Sequence, residues 1–342
     1  MRIGLVVAPW FPVPPTGYGG TEVVVDTLAR GFAGAGHDVV LAAAADSTCP
    51  VPLLPGTDAA DPAALGATGS DLSHVVRAYA GLAGVDLIHD HTLAGPLYRH
   101  RPPGVPVVTT LHSPLTPHLQ DICRAAAPDT ALVAISRDQI SRTPGLRVAA
   151  VIPHGMDLSA VPVGQGRGGY ACFLGRMCPD KGVAEAIVIA RAAGIPLKIA
   201  AKMRQPDELR YFHDVVEPML GPDVEFVGEV GGQEKYELLG SATALLNPLQ
   251  WPEPFGLVMI EAMATGTPVV ATSRGAAPEI VDVGTTGYLA QTAEDLVPLL
   301  VDAAALDRPA VRAAAERRFS IERMVDDHLA LYARLLRTRR GP

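Results

Sequence analysis

Two carboxylates frame one short stretch of this chain. The segment Trp251-Pro-Glu-Pro-Phe-Gly-Leu-Val-Met-Ile-Glu261 carries Glu253 and Glu261, which are separated by seven residues. Proline fixes φ and biases the preceding residue away from the α region, so we expect an extended entry and then a helix that opens near Leu257. Free N–H groups at a helix start favour a phosphate, and carboxylates accept hydrogen bonds from hydroxyls. The stretch therefore predicts a site for a phosphorylated, hydroxyl-rich ligand.

Two cations follow a predicted strand at Tyr170–Leu174. Arg176 and Lys181 offer a guanidinium fork and a point-charge ammonium, which together can neutralise a diphosphate. Surface cations on a loop are usually just solvated, but the chain has only four lysines, at 181, 198, 202 and 235. That scarcity makes Lys181 a candidate ligand contact.

A glycine cluster precedes a predicted helix at Thr21–Ala35. Gly17, Gly19 and Gly20 would let the backbone approach a ligand closely, although an ordinary turn between a strand and a helix explains them equally well. The spacing is not G-x-G-x-x-G, which weakens a dinucleotide-binding interpretation.

Histidines lie where two predicted strands end. His112 follows Val107–Leu111, at the edge where open α/β sheets place their ligands. His89-Asp-His91 would put two imidazoles on one face of an extended segment, as in a metal site, but no third and fourth ligands accompany them. The chain also contains no Asp-x-Asp, so we expect no metal.

Short β-rich runs alternate with helical patterns through both halves of the chain, which predicts an α/β fold with doubly wound parallel sheets. At 342 residues the chain exceeds what one core usually supports. We predict an N-terminal domain over 1–163, a C-terminal domain over 164–320 and a final helix within 321–342, with Gly164–Gly169 as a flexible linker. The strands are expected at Arg2–Ala8, Asp38–Ala43, Leu87–His89, Val107–Leu111, Ala131–Ile135, Tyr170–Leu174, Leu197–Ala201, Val224–Val227, Ala244–Asn247 and Val269–Thr272.

Several of these motifs together resemble the retaining glycosyltransferases of family 4. The acidic pair is followed by Ala262-Met-Ala-Thr-Gly-Thr-Pro-Val-Val-Ala271, as in that family. Four further motifs match in the same order and extend the resemblance over most of the chain: Thr16-Gly-Tyr-Gly-Gly-Thr-Glu22, Val151-Ile-Pro-His-Gly-Met-Asp157, Phe173-Leu-Gly-Arg-Met-Cys-Pro-Asp-Lys-Gly182 and Pro278-Glu-Ile-Val281. One position departs from the pattern, since His154 stands where relatives commonly have Asn.

The resemblance implies a GT-B fold, in which two Rossmann-like domains face each other across a cleft and the last helix crosses back to the N-terminal domain. It implies a retaining, metal-independent transfer from a nucleotide-diphosphate sugar, with a UDP-sugar as the expected donor and no cofactor. The implied catalytic residues are Glu253, His112, Arg176 and Lys181. The implied nucleotide-sugar contacts are Gly19, Gly20, Gly228, Phe255, Gly256, Leu257 and Glu261.

The charge and composition of the chain argue against some classes of binding partner. The formal net charge of −8 argues against a nucleic-acid binder, and residues 1–163 hold 9 basic and 13 acidic residues, which argues against stable docking on an anionic membrane. No segment has the length of a membrane span. The four cysteines lack C-x-x-C spacing and are expected to be reduced thiols of a cytoplasmic protein.

We therefore expect a small-molecule or oligosaccharide acceptor. A compact, acidic member with a composition typical of a high-GC genome resembles natural-product glycosyltransferases, such as those of avilamycin-type oligosaccharide antibiotics. Two other functions stay open at this point: a nucleotide-sugar 2-epimerase on the same fold, and a non-catalytic sugar-nucleotide binding protein.

Overall fold

The structure is a computed structural model that describes residues 1–17 and 19–340, without the side chains of residues 339 and 340. Tyr18 of the glycine-rich motif and the last two residues of the predicted C-terminal segment lie outside the described residues. The chain divides into two compact units: Met1–Met156 together with the helix that begins at Ile321, and Asp157–Ser320.

The first unit is a parallel sheet wrapped by helices. Its described strands run in the spatial order β2-β1-β3-β4-β5-β6, so the order reverses between β1 and β3. The elements are β1 (Arg2–Val6), α1 (Gly20–Gly34), β2 (Asp38–Ala42), α2 (Thr68–Gly81), β3 (Leu87–Asp90), β4 (Val107–Thr110), α3 (Pro117–Ala126), β5 (Ala131–Ala134), α4 (Arg137–Ser141) and β6 (Ala150–Val151).

The second unit repeats the plan with the strand order β12-β11-β10-β7-β8-β9, which reverses between β7 and β10. Its elements are β7 (Ala171–Arg176), α5 (Val183–Ala192), β8 (Leu197–Lys202), α6 (Pro206–Tyr211), β9 (Val224–Gly228), α7 (Gly232–Ser241), β10 (Leu245–Asn247), α8 (Leu257–Ala264), β11 (Val269–Thr272), α9 (Ala277–Ile280), β12 (Gly287–Ala290), α10 (Ala293–Asp302) and α11 (Arg308–Phe319). The last helix, α12 (Ile321–Arg340), packs on α1 of the first unit.

The central strands are buried on both faces, which explains their continuous apolar runs. Residues 3–6 and 107–110 are buried throughout, as are residues 269–272. Helices cover both faces of such a sheet, so the strands need no polar side. The second unit has its own apolar core, which includes Phe173 of β7 together with Leu296 and Leu300 of α10.

The predicted α/β class and all ten predicted strands are confirmed, with strand bounds that differ by at most two residues. Two strands escaped prediction. One is the two-residue edge strand β6, and the other is β12, which is half-buried after its first residue and gives little apolar signal.

The boundary between the units falls at 156/157, seven residues before the predicted division. The segment Gly164–Gly169, expected to be a flexible linker, is instead hydrogen-bonded into the second unit. The N–H groups of Gly164, Gly166 and Gly168 donate to the carbonyls of Thr265, Gly240 and Ser241, at 2.9, 2.9 and 2.8 Å. The glycines allow this close approach, because a Cβ on Gly164 would lie 2.1 Å from the carbonyl oxygen of Gly240.

Candidate functional site

The second unit places its charged residues where its strand order reverses. Arg176 is the last residue of β7 rather than part of the following loop, and Glu253 lies in the segment after β10. These two strands are neighbours in the sheet. In open α/β sheets, ligands bind outside the carboxyl ends of the strands at such a reversal. The position alone therefore makes this end of β7 and β10 a candidate ligand site.

Lys181 and Glu253 form an ion pair there. Their side chains are only 13% and 12% exposed, and the Lys181 ammonium donates to Oε2 of Glu253. The same carboxylate oxygen accepts from Nε1 of Trp251 at 3.0 Å, and the Lys181 ammonium lies 5.1 Å from the centre of the Trp251 ring. Although 72 residues separate them, Lys181 and Glu253 are brought together, and Trp251 completes the cluster.

Two glycines in the left-handed region hold this cluster in place. Gly182, which follows Lys181, has φ of 77°, and a Cβ there would lie 2.0 Å from the carbonyl oxygen of Pro248. Gly275 has φ of 57°, and its Cβ would meet the backbone of Glu253 at 2.2 Å. Because only glycine fits both the conformation and the space, the loops that carry Lys181 and Glu253 are fixed by close backbone packing.

Helix α8 begins directly after the acidic segment. Gly256 precedes it with φ of 95°, and Leu257 is its first residue. Phe255 is 3% exposed, and its ring packs edge-on against Phe319 at 6.1 Å. The Phe255 side chain is therefore core, so at this position only the backbone can contact a ligand. In this first turn the N–H group of Met259 already donates to the carbonyl of Gly256 at 3.0 Å, and the N–H groups before it are the ones that a helix start leaves available for a ligand.

Glu261 is the second acid of the pair, one turn further along α8. Oε1 of Glu261 accepts from the ammonium of Lys235, which lies on α7, at 2.6 Å. Burial opposes the charge on Lys235, but the charge and hydrogen bond of Glu261, together with Tyr236, outweigh this effect and raise the pKa of the lysine. Sequence reasoning missed Lys235 as a site residue. The scarcity of lysine was the available signal, and it was applied only to Lys181.

Arg176 has a looser environment, with a third of its side chain exposed. Its Nη1 lies 4.0 Å from Oε1 of Glu208, a buried carboxylate that Lys202 also contacts at 3.1 Å. Gly228 ends β9 with φ of 88° and has open space at its Cβ position. Both residues are the last of their strands in this sheet, whereas the sequence predicts them just beyond the strand ends.

In the first unit, the glycine-rich segment ends at the start of α1. Gly19 is extended, and a Cβ there would lie 2.8 Å from Pro15 and 2.9 Å from a carboxylate oxygen of Glu22. The glycine is thus already required by packing within the fold. Glu22 is 6% exposed, and burial raises its pKa to about 7. Glu22 is therefore a buried acid with a shifted pKa, and not only an exposed acid that the helix dipole stabilises.

His112 lies two residues beyond β4 and is partly exposed. Its Nε2 lies 2.8 Å from Nδ1 of His91, and the ring of His154 stacks on it at 5.3 Å with an interplanar angle of 18°. Burial lowers the pKa of His112 to about 4, so the ring is neutral near pH 7. Residues 89, 91, 112, 154 and 328 form one continuous set of ring contacts, which we call the histidine cluster.

Within the described ranges 1–17 and 19–340, no group of three or more His, Cys, Asp or Glu side chains is arranged to hold a metal ion. Over those same ranges, none of the helices has both the length and the apolar character needed to cross a membrane.

Each of the two units matches the model of a known protein family. The model of glycosyltransferase family 4 matches residues 18–160, and the model of the group 1 glycosyl transferases matches residues 169–305. The chain is 36% identical over 172 residues to the lipopolysaccharide core biosynthesis mannosyltransferase LpsB of Rhizobium meliloti, a region that covers 46% of this chain and 44% of that protein. It spans about half the length of the first curated relatives that it matches.

Solved structures are similar over nearly the full chain. AviGT4, a glycosyltransferase involved in avilamycin A biosynthesis, has a TM-score of 0.75 and 27% identity, and the match covers 98% of both chains. The Anabaena protein HepE in complex with UDP-glucose has a TM-score of 0.76 and 20% identity, covering 99% of this chain and 100% of that one. The predicted GT-B fold class, with two Rossmann-like domains, is thereby confirmed.

Proposed function

Because this chain carries a glycosyltransferase family 4 domain and a group 1 glycosyl transferase domain on a GT-B fold, we propose that it is a retaining glycosyltransferase. It moves a sugar from a nucleotide-diphosphate donor, with UDP as the expected nucleotide, to a small-molecule or oligosaccharide acceptor. The observation that carries the proposal is the start of α8, flanked by Glu253 and Glu261, each ion-paired with a lysine.

In the second unit, each proposed role follows from the chemistry of the group. The N–H groups at residues 255–257 and Glu253 bind the donor sugar, and Glu261 accepts hydrogen bonds from the ribose hydroxyls. Arg176 and Lys181 stabilise the negative charge that develops on the diphosphate as it leaves, without a metal ion. Gly228 presents backbone groups to the base, since its Cβ position is open.

In the first unit, the backbone at Gly19 and Gly20 faces the diphosphate, and His112 contacts the donor sugar near the reacting carbon. No protein nucleophile is proposed. The bond between the anomeric carbon and the diphosphate oxygen breaks, and the acceptor oxygen forms the new bond on the same face. The acceptor proton passes to an oxygen of the departing phosphate, so atoms and charges balance.

The acceptor class follows from the relatives. AviGT4 is involved in avilamycin A biosynthesis, and LpsB acts in lipopolysaccharide core biosynthesis. We therefore propose an oligosaccharide as the acceptor and a role in natural-product biosynthesis. A cytoplasmic location belongs to the same proposal, supported by four cysteines that are all free thiols.

Neither alternative function is favoured. A 2-epimerase needs acid and base groups around the second carbon of the sugar, and the matched proteins LpsB and AviGT4 are transferases. A binding protein without activity has no need for the two cations Arg176 and Lys181 in addition to both acids.

The test is release of UDP from a panel of UDP-sugars, with and without a pool of candidate oligosaccharide acceptors. We expect release that requires an acceptor and disappears in the Glu253→Ala variant. Tight binding of a UDP-sugar with no release under any condition would favour the binding-protein alternative. Conversion of the donor to its 2-epimer without an acceptor would favour the epimerase.

A further inference from the structure

His112 is held on two sides by other histidines, each from a different element of the first unit. His91 directly follows β3, the strand beside β4, and its Nδ1 lies 2.8 Å from Nε2 of His112. His154 follows β6, and its ring lies nearly parallel to that of His112. The two contacts restrict different motions of the His112 ring. The hydrogen bond from His91 fixes the position of Nε2, and the stacked ring of His154 fixes the plane of the ring.

The environment of His91 decides which ring donates. Nε2 of His91 is buried and has no hydrogen-bond partner among the described residues. If His112 donated to Nδ1 of His91, the His91 proton would sit on this Nε2, where nothing accepts it. A buried N–H group without an acceptor is rarer and costlier than an unused lone pair. His91 therefore carries its proton on Nδ1 and donates it to Nε2 of His112.

Both neighbours are themselves held firmly. The ring of His89, 4.1 Å from that of His91, is hydrogen-bonded at both nitrogens, to Thr110 at 2.8 Å and to Tyr332 at 2.6 Å. The backbone at His154 is fixed by Arg323 of α12, whose Nη2 donates to the carbonyls of Pro153 and His154 at 2.8 and 2.9 Å. The neighbours that orient His112 are therefore themselves tied to the fold by hydrogen bonds and ring contacts.

We propose that His91 and His154 are positioning residues for His112. The Nδ1–H of His91 holds His112 in the tautomer that is protonated at Nδ1, so His112 presents Nδ1–H as its one donor, and the stacked His154 fixes the plane in which this donor points. The role of this Nδ1–H group in contacting the sugar rests on the proposed glycosyl transfer. The assignment of the tautomer does not depend on that proposal.

The first experiment observes the tautomer directly, by long-range proton–nitrogen correlation of the histidine rings in ¹⁵N-labelled protein. The His112 signals are assigned by their loss in His112→Asn. We expect His112 of the wild type to be protonated at Nδ1, and His91→Leu to shift it toward the Nε2-protonated form. His91→Asn should preserve the tautomer, because the asparagine amide can donate from the place of Nδ1. Protonation of His112 at Nε2 in the wild type, or no change in His91→Leu, would overturn the proposal.

The second experiment separates positioning from general damage by steady-state kinetics. His91→Leu should lower kcat roughly ten- to a hundredfold with little change in the donor KM, and His91→Asn should restore most of it. His154→Phe keeps a ring for stacking and should retain activity, whereas His154→Asn should lower kcat. The matched control is His328→Asn, in the same histidine cluster but without a ring contact or hydrogen bond to His112.

Equal losses of kcat in His91→Leu and His328→Asn would overturn the positioning role, because both would then act through the stability of the histidine cluster. Thermal unfolding of each variant shows whether the fold survives. If no donor and acceptor pair reacts at all, the proposed function fails while the tautomer measurement still decides the His91 contact, so the two failures are distinguishable.

Discussion

Lys235 and Glu261 join two helices of the second unit, with the Lys235 ammonium 2.6 Å from Oε1 of Glu261. Their side chains are 20% and 14% exposed, so the pair is largely shielded from solvent. One carboxylate oxygen is thereby engaged, and the other keeps its capacity to accept hydrogen bonds from a ligand. The lysine fixes the acid that we assign to the ribose hydroxyls.

Glu261→Ala should weaken the binding of free UDP by about 1.5–3 kcal/mol, because it removes charge-assisted hydrogen bonds to the ribose. Lys235→Met should also weaken UDP binding, by a smaller amount, since Glu261 remains but is no longer held. Isothermal titration calorimetry with UDP measures both changes.

The control for this prediction is Glu234→Ala, which removes an exposed acid in the first turn of the same helix α7 and should leave UDP affinity unchanged. Glu253→Ala should likewise spare the affinity for bare UDP while it lowers turnover of the UDP-sugar. Equal losses of UDP affinity in Glu253→Ala and Glu261→Ala would contradict the division of roles between the two acids.

Turnover should continue almost unchanged in EDTA, because Arg176 and Lys181 provide the positive charge that a divalent ion would otherwise supply. Lys181→Ala should instead reduce kcat by roughly a hundredfold or more, as for the loss of other preorganised electrostatic contacts. The assay is initial-rate UDP release with and without chelator. A large loss in EDTA that added Mg²⁺ restores would show that the cations have been assigned wrongly.

The product should keep the anomeric configuration of the donor, so an α-linked donor of gluco configuration should give an α-linked product. An inverting enzyme needs a side-chain base directed at the acceptor, and Glu22 is the acid of the glycine-rich motif that suits this role, because it is buried and burial raises its pKa to about 7. The anomeric coupling in the proton NMR spectrum of the product measures the outcome. A β-linked product, together with loss of kcat in Glu22→Gln, would establish Glu22 as that base.

The histidine cluster should make the first unit less stable in acid. Burial lowers the pKa of His328 to about 4, whereas the unfolded value lies near 6.5. The unfolded state therefore binds the proton more readily below pH 6.5, and stability falls with pH from there down to about 4. The groups that face His328 are His89, Tyr332 and Phe32 across the ring contacts, and Met324, Arg323 and Asp327 on its own helix.

Replacing His328 with Asn should reduce the loss of unfolding free energy between pH 7 and pH 5 by about 2 kcal/mol, because one titrating group is removed. Urea unfolding at the two pH values measures the difference. The pH dependence of His328→Asn must be compared with that of the wild type, because Glu22 affects both proteins in the opposite direction. The raised pKa of Glu22 adds stability at low pH, and this stability is lost as the pH rises through about 7. An unchanged pH dependence in His328→Asn would show that His328 does not titrate on unfolding.

Local patterns determined the elements of this protein and the placement of its motifs. Apolar runs between turn residues fixed the strands to within two residues, because a strand buried on both faces must be apolar along its whole length. The prolines before Gly256 fixed the start of α8, since proline and left-handed glycine act on their own and adjacent dihedrals. Glu253, Lys181 and His112 follow strands at their carboxyl ends, and the strand pattern alone indicates this placement.

Only the tertiary structure decided which of these groups touch. Strand order places β7 beside β10 and so joins Lys181 to Glu253 across 72 residues of chain. The cluster around His89 depends on Tyr332, 243 residues away, because α12 packs on the first unit. Glu22 is an ordinary helix-start acid by sequence, but packing buries it and changes its pKa. Periodicity records which face of an element is buried, whereas contacts between elements depend on the order in which the sheet assembles, and a single sequence carries no local trace of that order.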